Sequence, residues 1–295
     1  MHIAIEWTSV AFHAWLLRPD GAIAAEHSSA RGVNSIHGKA FESALVEEIG
    51  AWLAEARAIL LSGMVTSRTG WVESPFAIVP AALSDLLESA VRKDFAGLPP
   101  LYFLPGIARV EPVPDVMRGE EMAVFGIERV MPSRVVLPGA HSKWVRTDGE
   151  RILDITTYMS GEVLNLLRRD SLVSRLIPEH HTPQPAAFER GVLMAQDKTA
   201  LAGGVLQRIF SARSLVLFDR LRPEEISDYL TGVMLGSEIA EAVAGGELPS
   251  TVHVLGQTPI AASYRTALKW LGIDSPEVDG SAARGFGRLV QTLKP

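Results

Sequence analysis

The sequence predicts an α/β fold of two related domains, and three observations carry that prediction. First, the chain starts twice. His2-Ile-Ala-Ile-Glu-Trp-Thr-Ser9 reads as a buried strand running into a polar turn, followed by a second strand over Ala11 to Leu17 and the turn Arg18-Pro-Asp-Gly21. Arg134 to Val145 repeats that plan around Pro138-Gly139 and ends in Arg146-Thr-Asp-Gly149, so the two Asp-Gly turns, at Gly21 and Gly149, lie 128 residues apart. Second, each copy continues into a third strand (Ala22 to Ser28; Arg151 to Met159) and then an apolar-periodic helix (Phe41 to Trp52; Gly161 to Leu167). Third, 295 residues is about two domains at ~100–200 residues each. The expected division is residues 1–130 and 131–295, the second carrying a helical insertion.

Composition narrows the function. Hydrophobic residues make up 47% and charged residues 21%, enough apolar material for two cores. The net charge is −6 and no run of Lys or Arg builds a basic face, which argues against nucleic acid as a partner. The absence of cysteine excludes disulfides, thiolate zinc sites and cysteine nucleophiles. No apolar stretch approaches the ~18–20 residues of a membrane span, and the N-terminus lacks the basic flank and cleavage pattern of a leader. The expectation is a cytoplasmic protein without membrane partners.

The remaining elements follow in order. Ala58 to Val65 is a short apolar run of the kind buried on both faces of a sheet, ending in the turn Thr66-Ser-Arg-Thr-Gly70. Ligands bind just beyond the carboxyl ends of such strands. Residues 71–80, with Pro75 and Pro80, read as an irregular loop, and Ala81 to Val91 as a short amphipathic helix. Leu101 to Leu104 is expected to close the first sheet, ended by Pro105-Gly106, before a proline loop and a helix over Gly119 to Arg129. In the second half, Pro178 to Pro185 is a loop, and Ala186 to Phe218 is helical with a break at Gly203-Gly204. Pro223 to Ala244 is a long helix whose Ile226, Leu230, Val233, Met234 and Ile239 share a face and whose Gly232 and Gly236 suit close packing. Thr251 to Thr258 is a strand and turn, and helices cover Pro259 to Leu271 and Gly280 to Leu293. Apolar surface on the inserted helices serves either a homodimer or the core.

Several of these segments together resemble one family. Glu6-Trp7 with Ala14-Trp15-Leu16, Gly63-Met64-Val65 with Gly70-Trp71, Asp115-Val-Met-Arg-Gly-Glu-Glu121, Leu137-Pro-Gly-Ala-His-Ser-Lys-Trp144 and Thr157-Tyr-Met-Ser-Gly-Glu162 are similar, in order and spacing, to the 2-keto-3-deoxygalactonate kinases. That resemblance implies a duplicated actin-like (ribonuclease H-like) two-domain sugar kinase architecture with an interdomain cleft. It also implies transfer of the ATP γ-phosphate to the 6-hydroxyl of 2-dehydro-3-deoxy-D-galactonate, with ATP and Mg2+ as cofactors. The chain departs from the family in its first loop, where Thr8 replaces a glycine and Val10 a hydroxyl residue, and in its second, where Ala140 replaces threonine. Each lost hydrogen bond to a charged phosphate is worth ~1.5–3 kcal/mol, which predicts weakened ATP binding. An alternative function is therefore a sugar-acid or nucleotide sensor that kept the fold without efficient turnover; a shifted acceptor is a third reading.

Phosphoryl transfer to a hydroxyl needs a metal, donors for the moving charge and a base. Glu6 stands where the family's aspartate helps place the metal; the plain alternative is a solvated carboxylate at a strand end. Thr8 and Ser9 in the first turn, and Gly139, His141 and Ser142 in the second, are candidate nucleotide contacts. Lys143 is a candidate catalytic donor to β- or γ-phosphate oxygens, or else a surface lysine. Ser160-Gly161-Glu162 opens a helix suited to an anion, with Glu162 either catalytic or a first-turn acid complementing the helix dipole. Arg118 is a natural partner for a substrate carboxylate, Glu121 for sugar hydroxyls, and the base is left open among Asp115, Glu120, Glu121 and Glu162. The same stretch also reads as a solvated hinge. Ser67, Arg68 and Trp71 complete a sugar pocket, unless Trp71 is a core anchor. Gly256 and Gln257 close a late strand where actin-like kinases seat adenosine, on a weak signal. The histidines form no pair at metal-binding spacing on a helix.

Overall fold

The computed structural model describes residues 1–38, 40–128, 133–196, 204–244, 250–278 and 280–293. In chain order the elements are β1 (His2–Trp7), β2 (Phe12–Leu17), β3 (Ile23–Ser29), α1 (Phe41–Ile49), β4 (Ile59–Ser62), β5 (Phe76–Ile78), β6 (Ala81–Ala82), α2 (Leu83–Glu88), β7 (Val91–Lys93), β8 (Leu101–Phe103), β9 (Gly106–Arg109), β10 (Asp115–Met117) and α3 (Glu120–Phe125). They continue as β11 (Ser133–Leu137), β12 (Ser142–Thr147), β13 (Arg151–Tyr158), α4 (Ser160–Asp170), α5 (Pro185–Gln196), α6 (Val205–Leu217), α7 (Ile226–Ala242), β14 (Val252–Val254), α8 (Pro259–Trp270) and α9 (Ala282–Thr292). Contacts group the chain into two compact units: Met1–Ser133 with Val145–Ile155 and Val278–Pro295, and Arg134–Trp144 with Thr156–Glu277. The division expected at 130/131 falls in the undescribed segment 129–132.

The first unit is built on a six-stranded sheet of order β3-β2-β1-β4-β8-β7. β1 pairs antiparallel with β2 and parallel with β4, a register that sets Glu6 opposite His13 on one side and beside Ser62 on the other. The apolar runs of β1 and β4 are buried on both faces, as a central sheet strand requires. Their core continues through Phe12, Phe41, Leu45, Ile49 and Phe103, each fully buried large side chain contributing ~1.5–3 kcal/mol. A second sheet, of order β14-β11-β12-β13-β6, repeats the sequence of third, second, first and fourth strand found in the first. Its β11 and β14 run parallel, as β1 and β4 do.

Four expectations are corrected. Residues 71–80 are not wholly irregular, because Phe76–Ile78 forms β5 beside β9 in a three-stranded sheet of order β10-β9-β5. Leu101–Phe103 is not the sheet edge, since β7 pairs antiparallel outside it. The helix expected over Ala81 to Val91 is only α2, with β6 before it and β7 after. The helix expected from Gly119 keeps α3 alone, ending at Gly126, while residue 129 lies outside the described residues. Strands of three or four residues among prolines carry too little alternation to be read.

In the second unit α7 is buried almost all round from Ile226 to Ile239, the expected face included. Close approach of α5 explains this: a Cβ on Gly232 would sit 2.1 Å from the Phe188 carbonyl oxygen, and one on Gly191 2.2 Å from that of Tyr229. α5 and α6 divide the helical stretch expected over 186–218; Gly203 of the expected break lies outside the described residues.

Candidate functional site

In the first unit the site grows from the carboxyl ends of the parallel strands β1 and β4. Glu6 is half-buried there, and burial together with the neighbouring Glu120 carboxylate pushes it up to about 7. Gly63, at φ +92°, and Gly119, at φ +111°, both need backbone conformations closed to other residues, and they meet back to back. A Cβ on Gly119 would lie 3.1 Å from the Gly63 Cα and 3.9 Å from Glu6 Oε1. Two glycines therefore let the α3 entry approach the Glu6 carboxylate.

Glu121 is fully buried beneath them. It accepts from the Gly119 amide at 2.9 and 2.8 Å and from the Ser62 hydroxyl at 3.0 Å. Burial first, and Glu120 second, raise its carboxyl to about 8 against those donors. A side chain so enclosed cannot meet sugar hydroxyls; it fixes the Gly119 turn. Glu120 is partly exposed and accepts from the Arg118 amide at 2.9 Å.

Arg118, expected on a substrate carboxylate, is committed internally. Its Nη1 donates to the Thr66 carbonyl and hydroxyl, both at 2.8 Å, and to the Ser74 hydroxyl at 2.9 Å, while its guanidinium lies 4.2 Å from the Phe76 ring centroid. Asp115 is half-buried near Arg109, 3.8 Å away. The stretch is thus a packed brace rather than a solvated hinge. Trp71 stacks on Phe41 at 5.8 Å and meets Phe103 edge-on at 5.4 Å, which is the core-anchor alternative. Ser67 donates to the Met64 carbonyl at 2.7 Å, and the exposed Arg68 reaches Glu73 at 3.3 Å.

The first turn closes on itself. The Thr8 hydroxyl donates to the Ala11 carbonyl at 3.2 Å and accepts from the amides of Val10 at 3.3 Å and Ala11 at 3.0 Å. Behind the turn, Val33 donates to the Thr8 carbonyl at 2.9 Å and Asn34 to that of Ser9 at 3.1 Å. A Cβ on Gly32 would be 2.3 Å from the Ser9 carbonyl oxygen.

The second turn has the same backing. A Cβ on Gly161 would be 2.2 Å from the Gly139 carbonyl oxygen, and the Glu162 amide donates to the Ala140 carbonyl at 3.0 Å. Gly139 and His141 are exposed, and the His141 ring contacts the Glu162 carboxylate. Lys143 is buried and its Nζ donates to the Thr157 hydroxyl at 2.9 Å. Ser142, expected on nucleotide, is instead fully buried and donates to Glu238. Glu238 also accepts from Trp144 Nε1 and the Tyr264 hydroxyl, each at 2.7 Å, tying β12 to α7 and α8. Gly256 and Gln257 are exposed; Arg265 donates to the Gly256 carbonyl at 2.6 Å, and Thr258 caps α8.

Sequence reasoning missed Gly32, Ser62, Gly119 and Glu238. One signal was present: Gly32 and Gly161 follow the two third strands 129 residues apart, close to the spacing of the Asp-Gly turns. Among the described residues no group of three or more acidic or histidine side chains could hold a metal. Magnesium does not require one, since one or two carboxylates with phosphates and waters suffice. Glu6 fits that role, a carboxylate at the end of β1 whose pKa is raised by burial and by the neighbouring Glu120, a strain a cation beside it would relieve.

A family model described as 2-keto-3-deoxy-galactonokinase matches residues 6–289. The chain is 32% identical to a probable 2-dehydro-3-deoxygalactonokinase of Rhizobium meliloti (strain 1021), covering 100% of this chain and 98% of the relative. It is 30% identical to the 2-dehydro-3-deoxygalactonokinase of Escherichia coli (strain K12), over 96% of this chain and 94% of the relative. A crystal structure of a Sinorhizobium meliloti protein provisionally assigned as a 2-dehydro-3-deoxygalactonokinase superposes with a TM-score of 0.85 at 29% identity, covering 99% of this chain and 97% of that one. A xylulose kinase from Lactobacillus acidophilus, at TM-score 0.51 and 8% identity over 99% of this chain and 89% of that one, shares the fold alone. The fold is that of the α/β sugar kinases related to actin, and phosphoryl transfer is the chemistry of the group. The chain belongs to the 2-keto-3-deoxy-galactonokinase family.

Proposed function

We propose that this chain is a duplicated two-domain kinase that phosphorylates 2-dehydro-3-deoxy-D-galactonate on its 6-hydroxyl at the expense of ATP. The observation that carries the reading is Glu6, held half-buried at the carboxyl end of β1 with Gly63 and Gly119 cleared away beside it, within a family match spanning residues 6–289. The 6-hydroxyl oxygen attacks the γ-phosphorus, the bond to the ADP oxygen breaks, and the hydroxyl proton leaves to a carboxylate. Glu6 would hold the metal, and Glu120, the partly exposed carboxylate next to it, takes the proton. Magnesium, when bound, neutralises charge on the phosphates. Lys143 and His141 supply donors to phosphate oxygens, with Glu162 holding His141; Gly139, Gly256 and Gln257 border the nucleotide. Ser67 and Arg68 meet the sugar acid, Arg68 being the exposed guanidinium suited to its carboxylate.

The test is a coupled assay for ADP with the sugar acid, ATP and magnesium. Sustained sugar-dependent ADP release supports the kinase, and phosphorus NMR of the product identifies the hydroxyl. The Thr8 hydroxyl bonded to its own turn favours a second reading, a sugar-acid sensor with little turnover. Sugar-acid binding by calorimetry without ADP release would establish that reading and remove the first.

A further inference from the structure

A turn binds an anion when successive backbone N–H groups converge on one point. In the first turn two such groups do converge, and the point is occupied. The amides of Val10 and Ala11 both donate to Thr8 Oγ1, at 3.3 and 3.0 Å, and the same hydroxyl donates its proton to the Ala11 carbonyl at 3.2 Å. The oxygen therefore accepts twice and donates once, as a satisfied hydroxyl does. The backbone around it is held from behind, by the Val33 and Asn34 amides and by Gly32 against the Ser9 carbonyl. These contacts brace the backbone of the turn, so the direct way to free those two amides is rotation of the Thr8 side chain. Threonine at a strand end forms such local bonds readily, which makes the closed arrangement the resting one.

We propose that the Thr8 hydroxyl is a built-in occupant of the anion position of the first turn, competing with a ligand phosphate for the amides of Val10 and Ala11, and that Thr8 thereby sets the affinity for polyphosphate. The inference rests on the reading of this turn as a nucleotide contact. It makes Thr8 a determinant of affinity through what it already holds, beyond the contact a glycine would have left open.

Calorimetric titration of MgATP, and separately of inorganic tripolyphosphate, into the parent, Thr8→Ala and Thr8→Ser proteins tests it. Removing the hydroxyl frees two amide donors for charge-assisted bonds to phosphate, so Thr8→Ala should bind both ligands about tenfold more tightly, while Thr8→Ser restores the weaker parent affinity. Equal affinities for Thr8→Ala and the parent, or no binding by either, would overturn the proposal. Because Thr8→Ala also loosens the hairpin, amide NMR of the parent gives an independent check: as tripolyphosphate displaces Thr8 Oγ1 the Val10 and Ala11 resonances should shift together with the other turn amides, and resonances that stay in place while the others move would overturn it. Sugar-dependent turnover with no Thr8→Ala gain removes the occupant and keeps the kinase. A Thr8→Ala gain without turnover in either protein keeps the occupant and removes the kinase.

Discussion

Gly161 approaches Gly139 so closely that a Cβ on the first would lie 2.2 Å from the carbonyl oxygen of the second. The first residues of α4 are thus the floor on which the Pro138-Gly139 turn rests. Gly161→Ala must displace that turn, and overpacking of this kind costs about 1–3 kcal/mol. We expect a lower melting temperature and a larger loss of turnover than of sugar-acid affinity, read by thermal unfolding and steady-state kinetics on the same preparation. An unchanged melting temperature would show that the turn has room to yield.

Glu238 gathers the donors of Ser142, Trp144 and Tyr264 inside the second unit. Glu238→Ala strands three buried donors and opens a cavity, an expected loss of about 3–5 kcal/mol. Urea unfolding measures it; a loss below ~1 kcal/mol would mean that water replaces the carboxylate.

Glu6 and Glu121 titrate above their ordinary value of 4.5, at about 7 and about 8. Between those limits the folded chain binds more protons than the unfolded chain, so stability falls as pH rises. The contribution is complete below about 4.5 and lost as pH rises through about 8. Urea midpoints from pH 5 to 8.5 should therefore decline, and Glu121→Gln, which cannot ionise, should flatten the decline. A parallel slope in the variant would assign the pH dependence elsewhere.

Lys143 is buried with its ammonium on Thr157. Under the proposed role, Lys143→Ala lowers the turnover number about 100-fold or more while sugar-acid affinity changes little. Competition kinetics separates the two, and an unaltered turnover number removes Lys143 from phosphate contact.

Trp71 belongs to the aromatic cluster of Phe41, Phe95 and Phe103. Trp71→Ala should cost about 3–5 kcal/mol of stability. A stable variant with weakened sugar-acid binding would return Trp71 to the pocket.

The long elements were legible because their periodicity is long: β1, β2, β13, α7 and α8 lie where apolar spacing places them. The sheet of β5, β9 and β10 was not, since each strand has three or four residues and prolines flank them. At the site, sequence located the turns but not what their atoms do. Ser142 and Arg118 look like ligand donors in one dimension, and only folding reveals Glu238 and Thr66 as their partners, residues 96 and 52 positions away. Glu121 likewise reads as solvated until Ser62 and Gly119 enclose it. In sequence Thr8 stands out as a replacement for the family's glycine, and the bonds of its hydroxyl to Val10 and Ala11 become visible only in the folded turn.

The last helix has a consequence for synthesis. α9 packs against α3, β1 and β2; Phe286 lies 6.1 Å from Trp15, and Gln291 donates to the Asp20 carbonyl at 2.6 Å. The β1–β2 hairpin therefore waits for residues made some 270 positions later. At ~5–20 residues per second that wait is on the order of 15–50 seconds, during which apolar surface that α9 will cover stays open to chaperones. Contacts of such sequence separation also slow folding of the released chain, because a long loop must close before they form.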